Sequence, residues 1–236
     1  MLTVIHIDDP DRLLEKAARH ICEKIRETLA VRTHVNIAVP GGRNVAKIFQ
    51  TMQEAPVDWR QVHFFIVDER LVTIDHPESN YKLLKDHFID PLIRADRISP
   101  DNAHPFILDM TRPDRGCGRY ERVLAEHGFQ FDIIVLSSGE DGHVGALYPK
   151  HHSIRNMHHG FIVMADSPKP PPDRMTASLS LMQTAAHAVL LFVGEAKRDA
   201  LIRFNNMASP IEDCPAKLVL AVHDATVFTD LKGCSS

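Results

Sequence analysis

Residues 139–149, which read GEDGHVGALYP, place a histidine where the apolar run 131–136 opens into a loop. Ligands bind at the carboxyl ends of strands in open α/β sheets, and a neutral imidazole can transfer protons near pH 7. His143 is therefore the first candidate for a catalytic residue, with the carboxylate of Asp141 beside it. The alternative is a structural turn at Asp141 and Gly142, from which His143 caps or packs against a helix.

A pair of glycines follows the first candidate core strand, in the sequence PGGRN. Gly41 and Gly42 would let backbone amides approach a phosphate, and the start of the next helix adds partial positive charge. Arg43, which precedes Asn44, favours a ligand because a guanidinium can bind an anion through two hydrogen bonds. A tight strand-to-helix turn explains the local sequence about equally well.

Charged residues also follow the apolar run HFFIV. Asp68 and Arg70 are expected to point into the crevice at the carboxyl end of that strand. For Glu69 a surface ion pair is the favoured interpretation, because exposed charged pairs are common and carry little information. Ser79 and Asn80 are expected to cap the following helix rather than to bind a ligand, although an asparagine side chain can do either.

The proline-rich residues 167–173 are interpreted as a rigid loop beside the site. Such a loop would hold Arg174 in place before a ligand arrives. Lys197 falls at the start of a later helix, where a cation is unfavourable unless an anion also binds; a solvated lysine is the usual outcome. Together with Arg43 and Arg70, these side chains would ring one crevice with positive charge, which fits a small phosphorylated substrate.

Apolar periodicity predicts the elements that position these residues. Three-and-four spacing predicts a helix over residues 9–30. Short apolar runs predict strands at 35–39, 62–67, 133–136, 161–165, 189–193 and 218–222. Further helices are predicted at 44–53, 80–88, 118–126 and 195–206. This order predicts an α/β fold with a Rossmann-like, doubly wound, mostly parallel sheet and helices on both faces, in a single compact domain over residues 1–236.

Composition gives no reason to expect nucleic acid as a partner. The 236 residues carry a formal net charge of −4 and are 44% hydrophobic, as is ordinary for a soluble globular protein. The acidic N-terminus does not look like a secretion signal, and no apolar stretch approaches the ~18 residues of a membrane span. Reduced thiols in a cytoplasm are expected, since the cysteines are widely spaced. They are Cys22, Cys117, Cys214 and Cys234.

No metal or other cofactor is expected from the residues. The paired histidines at 151–152 and 158–159 are interpreted as surface loop residues, because no acidic or cysteine partner lies near them at ligand spacing. The expected partner is a small phosphosugar, and the assembly is expected to be a monomer or a homodimer.

Several segments together resemble the 6-phosphogluconolactonase branch of the glucosamine-6-phosphate isomerase/6-phosphogluconolactonase family. They read PGGRNV, DER with a downstream SN, SSGEDGHVGALYP, PKPPPDRMT and GEAK, and they span nearly the whole chain. The DGH and PKPPxxRxT pieces are the most specific. The resemblance implies hydrolysis of 6-phosphogluconolactone to 6-phosphogluconate, the second step of the oxidative pentose phosphate pathway, without a metal.

The resemblance also implies roles for the candidate residues. His143 would take a proton from water as it attacks the lactone carbonyl and would then protonate the departing ring oxygen. Asp141 would orient that imidazole or position the water. Backbone amides at residues 41–42 or 139–142 would donate to the oxyanion. The residues expected around the phosphosugar are Arg70, Asn80, Arg174 and Lys197.

The chain departs from the family pattern at two places. Asn44 and Val45 replace a hydroxyl residue and a proline, so Asn44 would donate where a hydroxyl does and Arg43 would supply charge. Gly145 and Ala146 replace Ala-Ser behind the histidine. Altered affinity rather than lost activity is expected.

Two other functions stay open. A glucosamine-6-phosphate deaminase would share the phosphate site and the histidine, but that branch has Asn-Glu-Pro where this chain has Leu147, Tyr148 and Pro149, and tyrosine in place of Arg70. A sugar-phosphate sensor without turnover is favoured only by the altered PGGRNV loop, while the intact DGH argues against it.

Overall fold

The computed structural model describes residues 1–232. Their strands are β1 Leu2–His6, β2 Val35–Val39, β3 Val62–Ile66, β4 Asp68–Arg70, β5 Ile133–Ser137, β6 Phe161–Met164, β7 Arg174–Ala177, β8 His187–Phe192 and β9 Asp224–Thr229. Their α-helices are α1 Pro10–Leu29, α2 Arg43–Gln53, α3 Asn80–Leu84, α4 Asp90–Arg94, α5 Cys117–Glu126, α6 Leu179–Gln183 and α7 Arg198–Asn205. A π-helical turn, Lys85–Ile89, joins α3 to α4. Short 3-10 helices lie at Trp59–Gln61, Pro100–Asn102, His152–Arg155, Glu195–Lys197 and Pro215–Ala221.

Six strands form one parallel sheet in the order β1-β9-β8-β5-β2-β3. The chain moves outward from β2 to β3 in one direction and from β5 through β8 to β9 in the other. The strand order therefore reverses between β2 and β5, and such a reversal opens a crevice at the carboxyl ends of the strands. The predicted doubly wound, mostly parallel sheet is confirmed.

Side chains alternate between the two faces along each central strand. In β2, Ile37 packs in the hydrophobic cluster that α1 and α2 cover, whereas Ala38 packs in the cluster under α5, α6 and α7. In β5, Val135 and Ile134 divide in the same way. The helices thus cover both faces of the sheet, as predicted.

Helix α1 begins at Pro10, close to the predicted start. The side chain of Asp9 accepts hydrogen bonds from the amides of Asp11 and Arg12 at 2.9 and 3.0 Å, and proline suits the first helical position because it lacks an amide to satisfy. The apolar stripe of the helix is fully buried. The bounds Pro10–Leu29 confirm the helix predicted over residues 9–30.

Strands β4, β7 and β6 form a second, antiparallel sheet that the sequence did not predict. Pairing of β4 with β7 sets Asp68 opposite Thr176 and Arg70 opposite Arg174. The strand predicted at 161–165 exists as β6, but it belongs to this small sheet rather than to the main one.

The strand predicted at 218–222 is wrong. Those residues lie mostly in the 3-10 helix Pro215–Ala221, and the last strand of the main sheet is Asp224–Thr229. A short buried apolar run cannot be told from a strand by periodicity alone, which explains the error. The edge strand β1 reads LTVIH and was missed although it carries apolar residues; most of its side chains are exposed at the edge of the sheet.

Three of the four cysteines lie within the described residues. Cys22, Cys117 and Cys214 are buried and unpaired, in line with the expected reduced thiols, and Cys234 lies outside the described residues. Within residues 1–232, none of the helices combines the length and apolar character needed to cross a bilayer.

Candidate active site

A cleft of about 380 Å³ opens where β2, β3 and β5 end, within the range of roughly 300–1,000 Å³ typical of small-molecule sites. It sits at the reversal of strand order. Eight predicted residues line it: Gly41, Gly42, Asp68, Arg70, Asn80, His143, Arg174 and Lys197. Segments far apart in the sequence therefore converge on one cleft.

The ring of His143 is held by the carboxylate two residues before it. Nδ1 of His143 lies 2.5 Å from Oδ1 of Asp141, and the same oxygen accepts the His143 amide at 3.1 Å. A carboxylate at Nδ1 fixes the tautomer with its proton on that nitrogen. Nε2 is then the nitrogen left to accept a proton, a distinction that the sequence could not make.

Asp141 keeps its charge in this environment. Burial alone would raise the pKa of the Asp141 carboxyl, but the hydrogen bond with His143 and the charge of that ring together lower the pKa below its ordinary value. Lys169, across the cleft mouth, acts in the same direction. A permanently ionised carboxylate stabilises an imidazolium beside it.

Gly139 lacks a side chain where the His143 ring needs the space, since a Cβ there would lie 2.1 Å from Nδ1 and Cε1 of that ring. Two amides of this loop are already used: Gly139 donates to the His143 carbonyl at 2.8 Å, and Gly142 donates to the Gly139 carbonyl at 3.1 Å. These two of the four predicted amides in residues 139–142 are therefore not available to an oxyanion, while a role for the amides of Glu140 and Asp141 stays a prediction.

The other glycine loop keeps its amides available. No acceptor for the amides of Gly41 and Gly42 is found among residues 1–232. A Cβ on Gly41 would lie 1.8 Å from Oδ1 of Asn80, so only glycine fits there. Nδ2 of Asn80 donates to the Asp68 carbonyl at 2.7 Å, which holds this amide side chain against the glycine loop.

Arg174 is fixed by the proline loop, as expected from the prolines. Its Nε donates to the Pro171 carbonyl at 2.9 Å and its Nη2 to the Pro170 carbonyl at 2.8 Å; the peptide between these prolines is cis. Only 4% of Arg174 is exposed, yet it lines the cleft. The guanidinium is therefore positioned before a ligand binds.

Arg70 lies beside Arg174 through the pairing of β4 with β7. Nη1 of Arg70 donates to the Glu78 carbonyl, and Nε of Arg70 is buried without a hydrogen-bond partner. The neighbouring Asp68 is buried, which raises the pKa of its carboxyl, while Arg70, Arg174 and His143 oppose that rise. Two guanidinium groups and one carboxyl thus share this wall of the cleft.

Glu69 is not the surface ion pair that the sequence favoured. It is 2% exposed, and its carboxylate accepts hydrogen bonds from the amides of Arg70, Asn80 and Tyr81 and from Oγ of Ser79, all within 2.9 Å. Burial raises the pKa of Glu69 and these bonds oppose the rise. Glu69 therefore anchors the start of α3 from below the cleft.

The predicted cap at Ser79 is confirmed, because its side chain accepts the Lys82 amide at 3.1 Å. The local sequence favoured a capping role for Asn80, whereas the family resemblance placed it near the substrate; the structure has Asn80 in the wall of the cleft as the first residue of α3. Lys197 ends the 3-10 helix before α7, at the predicted helix start.

Among the lining residues that sequence reasoning missed are Lys169 and Tyr148. Lys169 stands between prolines in the same motif as Arg174, which was a usable signal. Tyr148 packs its ring 4.9 Å from that of His143, and burial raises the pKa of its hydroxyl; an aromatic residue after GAL gave no indication of this contact.

Four predicted residues do not line the cleft: Asp141, which contacts the His143 ring from the loop, and three predicted binding residues. Arg43 is exposed and Asn44 is half-buried at the start of α2, and Gly142 lies in the loop that carries His143. Successive residues at a helix start point in directions about 100° apart, so Gly42 can face the cleft while the next residues do not. A binding role for these three stays a prediction.

The histidine pairs need one correction. Nε2 of His152 lies 2.9 Å and Nε2 of His151 lies 3.4 Å from Oδ1 of Asp166, and His158 pairs with Glu121. Acidic partners are therefore present, but they come from parts of the chain too distant to be recognised by spacing. His152 and His158 are exposed, as predicted, and His151 is half-buried.

Comparison with known proteins gives consistent matches. The model of the family described as glucosamine-6-phosphate isomerases/6-phosphogluconolactonase matches residues 8–228. The 6-phosphogluconolactonase of Borreliella burgdorferi is 30% identical over 199 residues, which cover 84% of this chain and 85% of that protein.

Solved structures show the same fold. The 6-phosphogluconolactonase of Thermotoga maritima superposes with a TM-score of 0.81 at 22% identity, covering 97% of this chain and 99% of that one. A monomeric glucosamine-6-phosphate deaminase superposes with a TM-score of 0.79 at 19% identity, covering 96% of both chains. Since the fold accommodates both reactions, the residues of the cleft must distinguish them.

Proposed function

Since this chain belongs to the glucosamine-6-phosphate isomerase/6-phosphogluconolactonase family, we propose that it hydrolyses 6-phosphogluconolactone to 6-phosphogluconate in the oxidative pentose phosphate pathway. The observation that carries the proposal is the 2.5 Å contact of Nδ1 of His143 with Asp141. It leaves Nε2 of His143 available as a base in a cleft that four cationic side chains line. These are Arg70, Lys169, Arg174 and Lys197.

His143 moves one proton twice. Nε2 accepts a proton from water as the water oxygen bonds to the lactone carbonyl carbon. When the tetrahedral intermediate collapses and the bond to the ring oxygen breaks, Nε2 returns that proton to the ring oxygen. The product acid then ionises to the carboxylate. Asp141 stabilises the transient imidazolium and fixes its orientation.

The oxyanion of the intermediate needs donors in fixed positions. The amides of Gly41 and Gly42 support this role because they lack acceptors within the described residues and line the cleft. The packing of Gly41 against Asn80 keeps that loop in place.

The cations hold the phosphate and so position the carbonyl. Arg174 and Arg70 lie side by side, which suits the several oxygens of a phosphate dianion. Lys169 and Lys197 add charge from the proline loop and from the start of α7. Fixed geometry of this kind can supply several kcal/mol of the barrier reduction.

The test generates 6-phosphogluconolactone in place with glucose-6-phosphate dehydrogenase and follows its loss above the spontaneous rate, with EDTA present. We expect fast loss in the native protein and a drop of at least about 10²-fold in kcat for His143→Ala. His87→Ala is the matched control, since His87 is exposed and outside the cleft.

An active His143→Ala variant would remove this mechanism. Tight 6-phosphogluconate binding without any turnover would make the protein a phosphosugar sensor, and ammonia release from glucosamine 6-phosphate would make it a deaminase. We also propose that the protein is cytoplasmic. We propose that residues 1–236 form one domain and that the protein is a monomer or a homodimer.

A further inference from the structure

Four histidines converge at the end of the main sheet opposite the cleft, near the amino ends of β2 and β3. His34 precedes β2, His63 is the second residue of β3, His104 follows the 3-10 helix Pro100–Asn102, and His127 caps the C-terminus of α5. Asp68 in the cleft lies beyond the other end of β3, about 16 Å from His63 at the usual rise per residue. The proposed reaction uses none of these four rings.

Three of the rings bring their nitrogens together. Nδ1 of His63 lies 3.0 Å from Nε2 of His104, and one ligand nitrogen from each of His63, His104 and His127 lies within 4.8 Å of the other two. The His63 and His127 ring centroids are 4.1 Å apart. In a tetrahedral zinc site the ligand nitrogens are about 3.4 Å apart, so a metal ion would replace the hydrogen bond between His63 and His104 and would require the His63 and His127 rings to move apart.

The surroundings hold these rings in place. The His104 ring stacks on Phe65 with centroids 4.5 Å apart, and the buried Asn36 donates to the His127 carbonyl at 2.7 Å. His34 lies edge-on to both His63 and His127, and its Nε2 is buried without a hydrogen-bond partner. His34 is not one of the three residues whose ligand nitrogens converge, and its ring forms one wall of the cluster.

We infer that His63, His104 and His127 form a binding site for a divalent first-row transition-metal ion of the zinc type. Neutral imidazole suits such ions, whereas calcium and magnesium prefer oxygen ligands. His63, His104 and His127 are all half-buried, so a metal ion held by them would be partly shielded from solvent.

The three ligands come from different parts of the fold: β3, the segment after Pro100–Asn102, and the end of α5. A metal held between them would tie α5 to the edge of the main sheet. It would therefore stabilise the folded protein through binding, with no part in the reaction at the cleft.

A second histidine cluster on the chain provides the comparison. His151, His152 and Asp166 also bring ligand atoms within 4.8 Å of one another, but His152 and Asp166 are exposed and already form an ion pair. Their removal tests whether any metal found on the protein is at the surface instead.

The experiment titrates Zn²⁺ into the full chain, prepared without an affinity tag and freed of metal with EDTA, and measures binding by calorimetry and bound metal by elemental analysis. We expect one tightly bound Zn²⁺ per chain and a melting temperature that rises by a few degrees. His104→Phe, which keeps the stacking on Phe65, and His127→Gln should each weaken binding at least about tenfold. His152→Gln and His87→Gln should bind Zn²⁺ as the native chain does.

If His104→Phe does not fold, imidazole ¹⁵N NMR spectra of the native chain still test the site, because the ring-nitrogen resonances of the ligand histidines shift when Zn²⁺ binds. Shifts confined to His63, His104 and His127 would support the site. Absence of tight binding, unchanged affinity in His127→Gln, or loss of binding in His152→Gln would each overturn it. Lactonase turnover of the folded variants should match the native protein.

Discussion

Asp141 determines which nitrogen of His143 can act as a base, because its carboxylate accepts the Nδ1 proton at 2.5 Å. An asparagine in its place could present an NH₂ group to Nδ1 and favour the opposite tautomer. We expect Asp141→Asn to lower kcat by roughly 10²- to 10⁴-fold with KM little changed, since the phosphate contacts are elsewhere. Steady-state kinetics on enzymatically generated lactone measures both constants.

The control for this substitution is Asp58→Asn, an exposed aspartate without a side-chain cap bond. It should leave both constants unchanged. If Asp141→Asn raised KM alone and kept kcat, Asp141 would hold substrate rather than orient the ring.

The position of a single residue could be predicted where a local motif determines it, and could not be predicted where only the tertiary fold determines it. His143 follows an apolar strand, Arg174 follows a proline loop and Lys197 precedes a helix, so their place in the cleft could be predicted from the sequence. Glu69 could not, because its burial depends on four donors from α3 and β4 that only the tertiary fold brings around it. Nothing local separates it from a surface glutamate.

At the scale of elements, Glu69 joins β4 to the start of α3. Glu69→Gln would bring an NH₂ group toward amides that need an acceptor, so we expect a loss of about 2 kcal/mol in the free energy of unfolding. Urea unfolding followed by circular dichroism measures the change. Glu126→Gln, at an exposed site on α5, should stay within about 0.5 kcal/mol of the native protein; an equal loss there would discount the role of Glu69.

The small sheet β4-β7-β6 presents the cation pair of the cleft. Removing a charged hydrogen bond costs about 1.5–3 kcal/mol, so Arg174→Met should raise KM for the phosphorylated lactone by roughly ten- to a hundredfold. Turnover of unphosphorylated gluconolactone should not change. Arg155→Met, at an exposed position, is the control, and an equal effect on both lactones would show that Arg174 does not read the phosphate.

Elements with an apolar pattern in consecutive residues could be predicted from the sequence, whereas elements that depend on pairing with distant segments could not. The buried parallel strands β2, β3 and β5 and the amphipathic helices α1 and α2 carry their pattern in consecutive residues, and they were predicted to within a residue or two. Strands β4 and β7 have only three and four residues, too short for a clear pattern, and they form strands through pairing with each other and with β6. The 3-10 helix at Pro215–Ala221 is as apolar as a strand, which misled the prediction.

At the scale of the whole molecule, stability should depend on pH through buried neutral histidines. The folded pKa values of His63 and His104 lie below the unfolded value of about 6.5, so the unfolded chain binds protons that the folded chain does not. Stability is then full above about pH 6.5 and falls as the pH drops toward 4. The titratable groups that act on this pair are His34 and His127, and Glu126 acts on His127.

We expect the fall to include about 1 kcal/mol from His104 at pH 5.5, measured by urea unfolding in the presence of EDTA. His104→Phe should show a correspondingly shallower fall, whereas His87→Phe should follow the native curve. Parallel curves for His104→Phe and the native protein would contradict the assignment.

The fold class was predictable because alternation of strand and helix leaves few possible architectures. The cluster of His34, His63, His104 and His127 was not predictable, since these residues share no regular spacing and meet only after the sheet forms. The same holds for the distance of Arg43 from the cleft, which depends on the rotation of α2 at its first turn.

The cross-strand position of Arg70 opposite Arg174 has a cost for the free protein. Like charges set directly opposite each other in a sheet repel, and Arg70 lowers the pKa of Arg174, after the larger effect of burial. Without a ligand the two guanidinium groups therefore repel each other, and in the proposed reaction a phosphate dianion bound between them would relieve that repulsion. Substrate affinity and the stability of the free protein would then oppose each other, so Arg70→Met should give a protein that melts at a higher temperature without ligand and gains less from it.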